Sequence, residues 1–180
     1  MSAAGRSRRE CGWHRLTDEW AARLVAGAGI RPGELVLDIG AGIGVITAQL
    51  LGAGARVVAV ELHPTRAAQL RHRFAGTATT VVRADATSLR LPRQPFRVVA
   101  NPPYAISAAL MRVLLGPGSR LMAADLVFQR AVVRRYAEGM PPGANRWLHS
   151  WEFRRGQALP RNAFKPPPQV DSAVLVIRRR

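Results

Sequence analysis

The residues of this chain best suited to chemistry are Asn101-Pro102-Pro103-Tyr104. An exocyclic amino group has its lone pair delocalised into the ring or carbonyl that carries it, so it is a poor nucleophile. The side-chain oxygen of Asn101 and the backbone carbonyl of Pro102 could each accept one of its protons. That would return electron density to nitrogen and aim it at an electrophile. Proline fixes φ and so fixes where those carbonyls point. Tyr104 offers a face on which a planar base or amide can stack. A simple turn uses the same residue types, so the rest of the chain must decide. Asp38, Glu61 and Asp85 resemble Asn101 in one respect: each closes an apolar run. Gly40, Gly42 and Gly44 follow Asp38 and let backbone approach a ligand closely. Their spacing is G-x-G-x-G, which matches neither the dinucleotide loop nor the nucleoside triphosphate loop. A carboxylate at Asp38 would repel a pyrophosphate and suits a ligand with a cationic amino group, held directly or through water. Glu61 lies 21 positions after Gly40, about where nucleotide-binding α/β folds place a carboxylate on ribose hydroxyls. Asp85, before Ala86, can accept from an adenine amino group or can cap a helix.

These residues need strand ends and turns to hold them. Leu35-Val-Leu-Asp-Ile39 reads as a buried parallel strand. Beyond the glycines, Ile43, Ile46, Thr47, Leu50 and Leu51 fall on one face of a helix. Before this unit, Thr17 can cap a first helix with Trp20, Leu24, Val25 and Ala28 as its apolar stripe. After it come a strand at Arg56–Glu61, a helix opened by Pro64 and closed by Gly76, and strands at Thr79–Asp85 and Phe96–Ala100. A helix follows with Ile106, Leu110, Val113 and Leu114 facing inward, stopped by Gly116-Pro-Gly118. Leu121 to Phe128 reads as a strand and Gln129 to Ala137 as a basic helix. Trp147, His149, Trp151 and Phe153 alternate as on a strand with one aromatic face. Ser172 to Ile177 is the last strand. Phe164-Lys-Pro-Pro-Pro-Gln-Val-Asp-Ser172 is expected to be a stiff loop holding Phe164 out over the site, opposite Tyr104. The pattern predicts one doubly wound α/β domain, with ligands outside the carboxyl ends of the strands.

The formal charge is +16, and only Lys165 among the 27 basic residues is not arginine. A GC-rich genome explains part of the arginine, but not the scarcity of acids. Such a field attracts polyanions, and the guanidinium fork suits phosphates and bases. Nucleic acid is therefore the expected partner. Residues 1–12, with Arg6, Arg8 and Arg9, read as a mobile basic arm before a catalytic domain at 13–180, and Arg178 to Arg180 as a second group able to neutralise phosphates. No apolar run reaches the roughly 18 residues of a membrane span, and the start lacks a signal peptide's apolar segment. A single Cys11 excludes an internal disulfide, and with four scattered His it argues against a structural zinc. No metal, no membrane and a cytoplasmic location are expected.

Asp38-Ile-Gly-Ala-Gly-Ile-Gly44, Glu61, Asp85-Ala86, Asn101-Pro-Pro-Tyr104 and the Phe-x-Pro-x-Pro-x-Val-Asp-Ser pattern at 164–172 occur together and in order. In this the chain resembles the ribosomal RNA adenine N(6)-methyltransferases, which comprise the Erm macrolide-resistance enzymes and the KsgA-type dimethyltransferases. The resemblance implies a Rossmann-like, seven-stranded methyltransferase fold and S-adenosylmethionine as methyl donor. It implies that Gly40 and Gly42 approach the donor, Asp38 faces its ammonium, Glu61 its ribose, and Asp85 and Ala86 its adenine. Asn101, Pro102 and Tyr104 would receive the target adenine, with Phe164 beside it, and Asn101 would also border the donor. The short, arginine-rich chain points to the Erm branch, hence to a monomer acting on 23S rRNA or precursor ribosomal particles and to macrolide-lincosamide-streptogramin resistance. Three features depart from the family. Gly12-Trp-His-Arg-Leu16 stands where Gly-Gln-Asn-Phe-Leu is usual, position 102 is Pro rather than Ile or Leu, and the helical C-terminal domain usual in the family is expected to be missing. A protein methyltransferase working on amide nitrogen is the rival enzyme, although a peptide substrate gives no reason for the charge. A donor-binding nucleic-acid protein without catalysis is the other rival, and Asn101 and Tyr104 argue against it.

Overall fold

A computed structural model describes residues 14–139 and 145–180; the basic arm expected at 1–12 lies outside the described residues. In chain order the elements are β1 (Arg15–Leu16), α1 (Asp18–Ala28), β2 (Leu35–Ile39), α2 (Val45–Gly52), β3 (Arg56–Glu61), α3 (Pro64–Arg73), β4 (Thr79–Arg83), β5 (Phe96–Ala100), α4 (Ser107–Leu114), β6 (Leu121–Gln129), α5 (Arg130–Ala137), α6 (Asn145–Leu148), β7 (Trp151–Leu159), β8 (Phe164–Lys165) and β9 (Ser172–Arg179). Seven strands form one sheet in the order β4-β3-β2-β5-β6-β9-β7. Neighbours from β4 to β6 run parallel, and β9 runs antiparallel to both β6 and β7. The two-residue strands β1 and β8 pair antiparallel beside it, Leu16 opposite Phe164 and Arg15 opposite Lys165.

The local chemistry accounts for these elements. Thr17 caps α1 by accepting from the Trp20 N–H at 3.4 Å, and Gly29 ends it in the left-handed region at φ 62°. β2 is buried along its whole length, as a strand covered on both faces must be. One apolar cluster lies between the sheet and α4 and α5, with Leu37, Phe96, Leu110, Met111, Leu126, Phe128 and Leu175 among its members. The other lies under α1 and α2 and includes Val36, Leu24, Leu50, Val99, Val127 and Phe164. Gly44 is the one glycine of the loop that packing also demands. It sits at φ 87°, and a Cβ there would meet the Phe74 ring and come within 2.9 Å of Leu70 Cδ2.

Three expectations need correction. Trp147 and His149 are not strand residues: Trp147 lies in the short helix α6, and β7 begins only at Trp151. Apolar alternation over four aromatic residues could not register the turn at 149–150 between them. On α4 the third inward residue is Met111, with Val113 only partly buried. The arginines at the end do not form a free group. β9 continues to Arg179, Arg178 reaches both carboxylate oxygens of buried Asp125 at 3.0 and 3.1 Å, and Arg179 lies over the Trp151 ring at 4.8 Å. Arg180 Nε donates to the Trp151 carbonyl at 3.4 Å. Arg178 is paired on both sides of β9 and Arg179 on the β7 side.

Candidate active site

The sheet order reverses direction between β2 and β5, and the crevice outside their carboxyl ends is where ligands bind in such folds. Asp38, Gly40, Glu61, Asp85 and Asn101 all gather at this end of the sheet. Two larger clefts contain none of these residues: one of 580 Å³ beside the turn after α4 and the start of β7, and one of 570 Å³ where β2, β3, β5 and β6 begin. Size therefore does not locate the chemistry here. The narrow cleft lined by Arg15, Leu16, Asp38, Gly40, Ala41, Val45, Ile46 and Asn101 does.

Asp38 is deeply buried, 1% exposed. Its Oδ2 accepts from the Thr47 hydroxyl at 2.7 Å, whereas its equally buried Oδ1 has no partner among the described residues. Burial is the main force raising its pKa, to about 7; the Thr47 hydrogen bonds oppose it, and the charge of Glu61 adds to it. An orphaned carboxylate oxygen lining a cleft fits a ligand that brings a cationic donor. Sequence reading placed Thr47 on the apolar stripe of α2; its hydroxyl is what orients Asp38.

Glu61, 5% exposed, accepts from the Gly42 N–H at 2.9 Å and the His63 N–H at 2.8 Å, with Arg66 Nε 3.4 Å away. Its carboxylate braces the glycine loop from beneath, and each oxygen keeps a lone pair for a hydroxyl donor. Leu62 follows it and is 59% exposed. A large apolar side chain left in water beside Glu61 is available to pack on a planar ring, and its place after the strand-end acid was the signal available in the sequence. Asp85 resolves as a cap: its Oδ1 accepts from both the backbone N–H and the hydroxyl of Thr87, at 2.8 and 2.7 Å. These bonds lower its pKa. Oδ2 remains for a ligand, next to buried Ala86.

Gly40 brings two of these segments together. A Cβ there would lie 3.3 Å from Pro103 Cδ and 3.5 Å from Pro102 Cα, so the glycine loop and the Asn-Pro-Pro-Tyr turn touch. Asn101 Nδ2 donates to the His14 carbonyl at 2.7 Å. A carbonyl can only accept, so the amide nitrogen must face it, which leaves Oδ1 as the acceptor arm. The Tyr104 hydroxyl and Ser172 Oγ share a hydrogen bond at 2.6 Å, and burial raises the phenol pKa, so the ring stays neutral.

Phe164 is not held out over the site. It is 1% exposed and packs with Leu16, Leu24 and Val127 in the α1–α2 cluster. The reason is strand alternation: pairing of β8 with β1 turns Phe164 and Leu16 inward together and Lys165 outward. The ring beside Tyr104 is His14, with centroids 6.2 Å apart and planes at 29°.

The sequence profile described as "Ribosomal RNA adenine dimethylase" matches residues 6–180. The chain belongs to the ribosomal RNA adenine dimethylase family. Members of this family are S-adenosylmethionine-dependent methyltransferases. This dimethylase-family chain is 33% identical to an rRNA adenine N-6-methyltransferase of Corynebacterium diphtheriae, covering 99% of the chain and 71% of the relative. It is 37% identical to a ribosomal RNA small subunit methyltransferase A of Leifsonia xyli, covering 87% and 60%. The crystal structure of the 23S rRNA methyltransferase ErmE superposes with a TM-score of 0.83 at 32% identity, covering 92% of this chain and 69% of that one. The chain thus spans between three fifths and three quarters of the length of these relatives.

For a member of this family, Glu61→Ala should act on the donor first. Loss of a charged acceptor for ribose and of the brace on Gly42 should weaken S-adenosylmethionine binding by about ten- to a hundredfold. Turnover at saturating donor should stay near the parent value. Calorimetric titration together with initial rates separates the two effects, and an unchanged affinity would remove Glu61 from the donor site.

Proposed function

We propose that this protein transfers a methyl group from S-adenosylmethionine to the N(6) amino group of an adenine in 23S rRNA, conferring macrolide-lincosamide-streptogramin resistance. The observation that carries the chemical part is the Asn101 amide, turned by the His14 carbonyl so that Oδ1 is presented as an acceptor. When bound, S-adenosylmethionine supplies an electrophilic methyl on a sulfonium. The residues of the chain do the rest. Asp38 Oδ1 accepts from the donor's ammonium, Glu61 from its ribose hydroxyls and Asp85 Oδ2 from its adenine amino group, while Gly40 and Gly42 admit it closely and Leu62 and Ala86 flank the ring. Asn101 Oδ1 and the Pro102 carbonyl each accept a hydrogen bond from one N–H of the target amine, so its lone pair is localised toward the methyl. The N–C bond forms as the S–C bond breaks, and the one proton then lost from nitrogen passes to solvent. Tyr104 stacks on the base. Catalysis then comes from position and hydrogen bonding. A paired adenine must first leave its stack, at a cost of a few kcal/mol.

The choice of large-subunit RNA rests on the likeness to ErmE. A second reading, small-subunit RNA, has support from relatives at 36–37% identity named for that subunit. Radiolabelled methyl transfer to naked 23S rRNA, naked 16S rRNA and assembled subunits, followed by mapping of the label, decides between them. Label on 23S adenine N(6) is the expected outcome. Label confined to 16S RNA would overturn the large-subunit reading, and label on protein would overturn the RNA reading altogether.

A further inference from the structure

Three contacts converge on His14. Its backbone carbonyl accepts from Asn101 Nδ2 at 2.7 Å, its ring Nδ1 lies 2.8 Å from the Pro166 carbonyl, and its ring stands beside Tyr104. We propose that His14 is a positioning residue of the acceptor pocket: its ring ties the 14–16 segment to the Pro166 loop, and that tie holds the carbonyl which sets the Asn101 amide.

An asparagine amide can turn by half a rotation and exchange its oxygen and nitrogen. Turned the wrong way, Asn101 would offer N–H groups to an amine that itself has only protons to give. The side chain therefore needs a fixed acceptor on its nitrogen, and the His14 carbonyl is that acceptor. The carbonyl has to be fixed in turn. Downstream it is held by the β1–β8 pairing and by burial of Leu16 and Phe164. At His14 itself the ladder has ended, and the imidazole bond to Pro166 takes over. Because the Pro166 carbonyl only accepts, Nδ1 must carry the proton. The same loop ends at Ser172, which bonds the Tyr104 hydroxyl. One segment, 166–172, thus anchors both the residue that aims Asn101 and the ring assigned to the base.

The inference rests on the acceptor role given to Asn101, and two readouts keep the two apart. The first needs no substrate. In the free, isotopically labelled protein the Asn101 side-chain amide, assigned by its loss in Asn101→Ala, should exchange its protons with solvent at least about tenfold faster in His14→Phe. His14→Asn, whose Nδ2 sits where the imidazole Nδ1 does, should restore slow exchange. The second is methyl transfer with 23S and 16S rRNA offered in parallel. His14→Phe should lower kcat about ten- to a hundredfold, as loss of alignment does, with donor Kd, RNA KM and Tm close to the parent. His14→Asn should recover most of that loss. An unchanged amide in His14→Phe, or a kcat equal to the parent's, overturns the inference while leaving the function intact. A parallel loss of kcat and Tm that His14→Asn fails to reverse also overturns it, because the ring would then be acting by packing. If Asn101→Ala itself transfers methyl normally, the acceptor assignment falls instead.

Discussion

Replacing Asn101 with alanine should lower methyl transfer by at least about a hundredfold, the scale seen when an oriented hydrogen-bonding group is removed from a transition state. Donor affinity should move by less than about threefold, since the residue is assigned to the acceptor. The amine would lose the oxygen that localises its lone pair, and no described neighbour could substitute, because the His14 carbonyl is aimed at the amide and Tyr104 at Ser172. Single-turnover transfer under saturating donor, with calorimetry alongside, tests the split. A variant that loses donor affinity but turns over normally at saturation would move Asn101 to the donor side.

The second large effect is on stability and depends on pH. Asp38 ionises near pH 3.8 in the unfolded chain and near 7 in the fold, chiefly because it is buried. A carboxyl whose folded pKa is raised contributes stability that is complete below the unfolded value and lost as pH rises through the folded one. The free protein should therefore lose up to about 4 kcal/mol between pH 4 and pH 7 from this group alone, at 1.36 kcal/mol per unit. Asp38→Asn, neutral throughout, should match the parent near pH 4 and exceed it above pH 7. It should also bind S-adenosylmethionine poorly at every pH. The parent should take up donor with release of a proton below pH 7, its affinity falling by up to tenfold per unit. Denaturant melts at pH 4, 6 and 8 check the first point. A variant no more stable than the parent at pH 8 would mean that Asp38 is ionised without cost.

Much of this site was legible in the sequence because its parts sit at strand ends. Glu61 closes buried β3 and Asn101 follows buried β5, and an apolar run ending on a polar residue fixes both the element and where that side chain must stand; Asp38, expected at the end of its strand, is the last residue but one of β2. Asp85 was legible too, including its alternative as a cap, although the strand before it stops at Arg83. What remained hidden depends on pairing between distant segments. Phe164 looks like an exposed aromatic in a proline loop until β8 is seen to pair with β1. His14 has no local signal, since its contacts are 87 and 152 residues away. Thr47 reads as one more residue of an apolar stripe, and only the fold turns its hydroxyl onto Asp38. Arg178 reads as part of a basic end until its partner, Asp125, appears on the neighbouring strand.

The place of β9 also governs how this sheet comes together as the chain is made. The strand follows both β6 and β7 in the chain, yet it lies between them and links them within the sheet of the described residues. Until Ser172–Arg179 has been synthesised, the nine residues of β6 have an open edge, and β7 has nothing to join. The parallel half can assemble earlier, but it does so with a buried-type apolar strand exposed to solvent. Such an edge is a template for pairing with other chains, and it is most vulnerable in partly folded intermediates. The last strand therefore acts as a closing piece: its arrival seals β6, recruits β7 and places the salt bridge between Arg178 and Asp125 in one step.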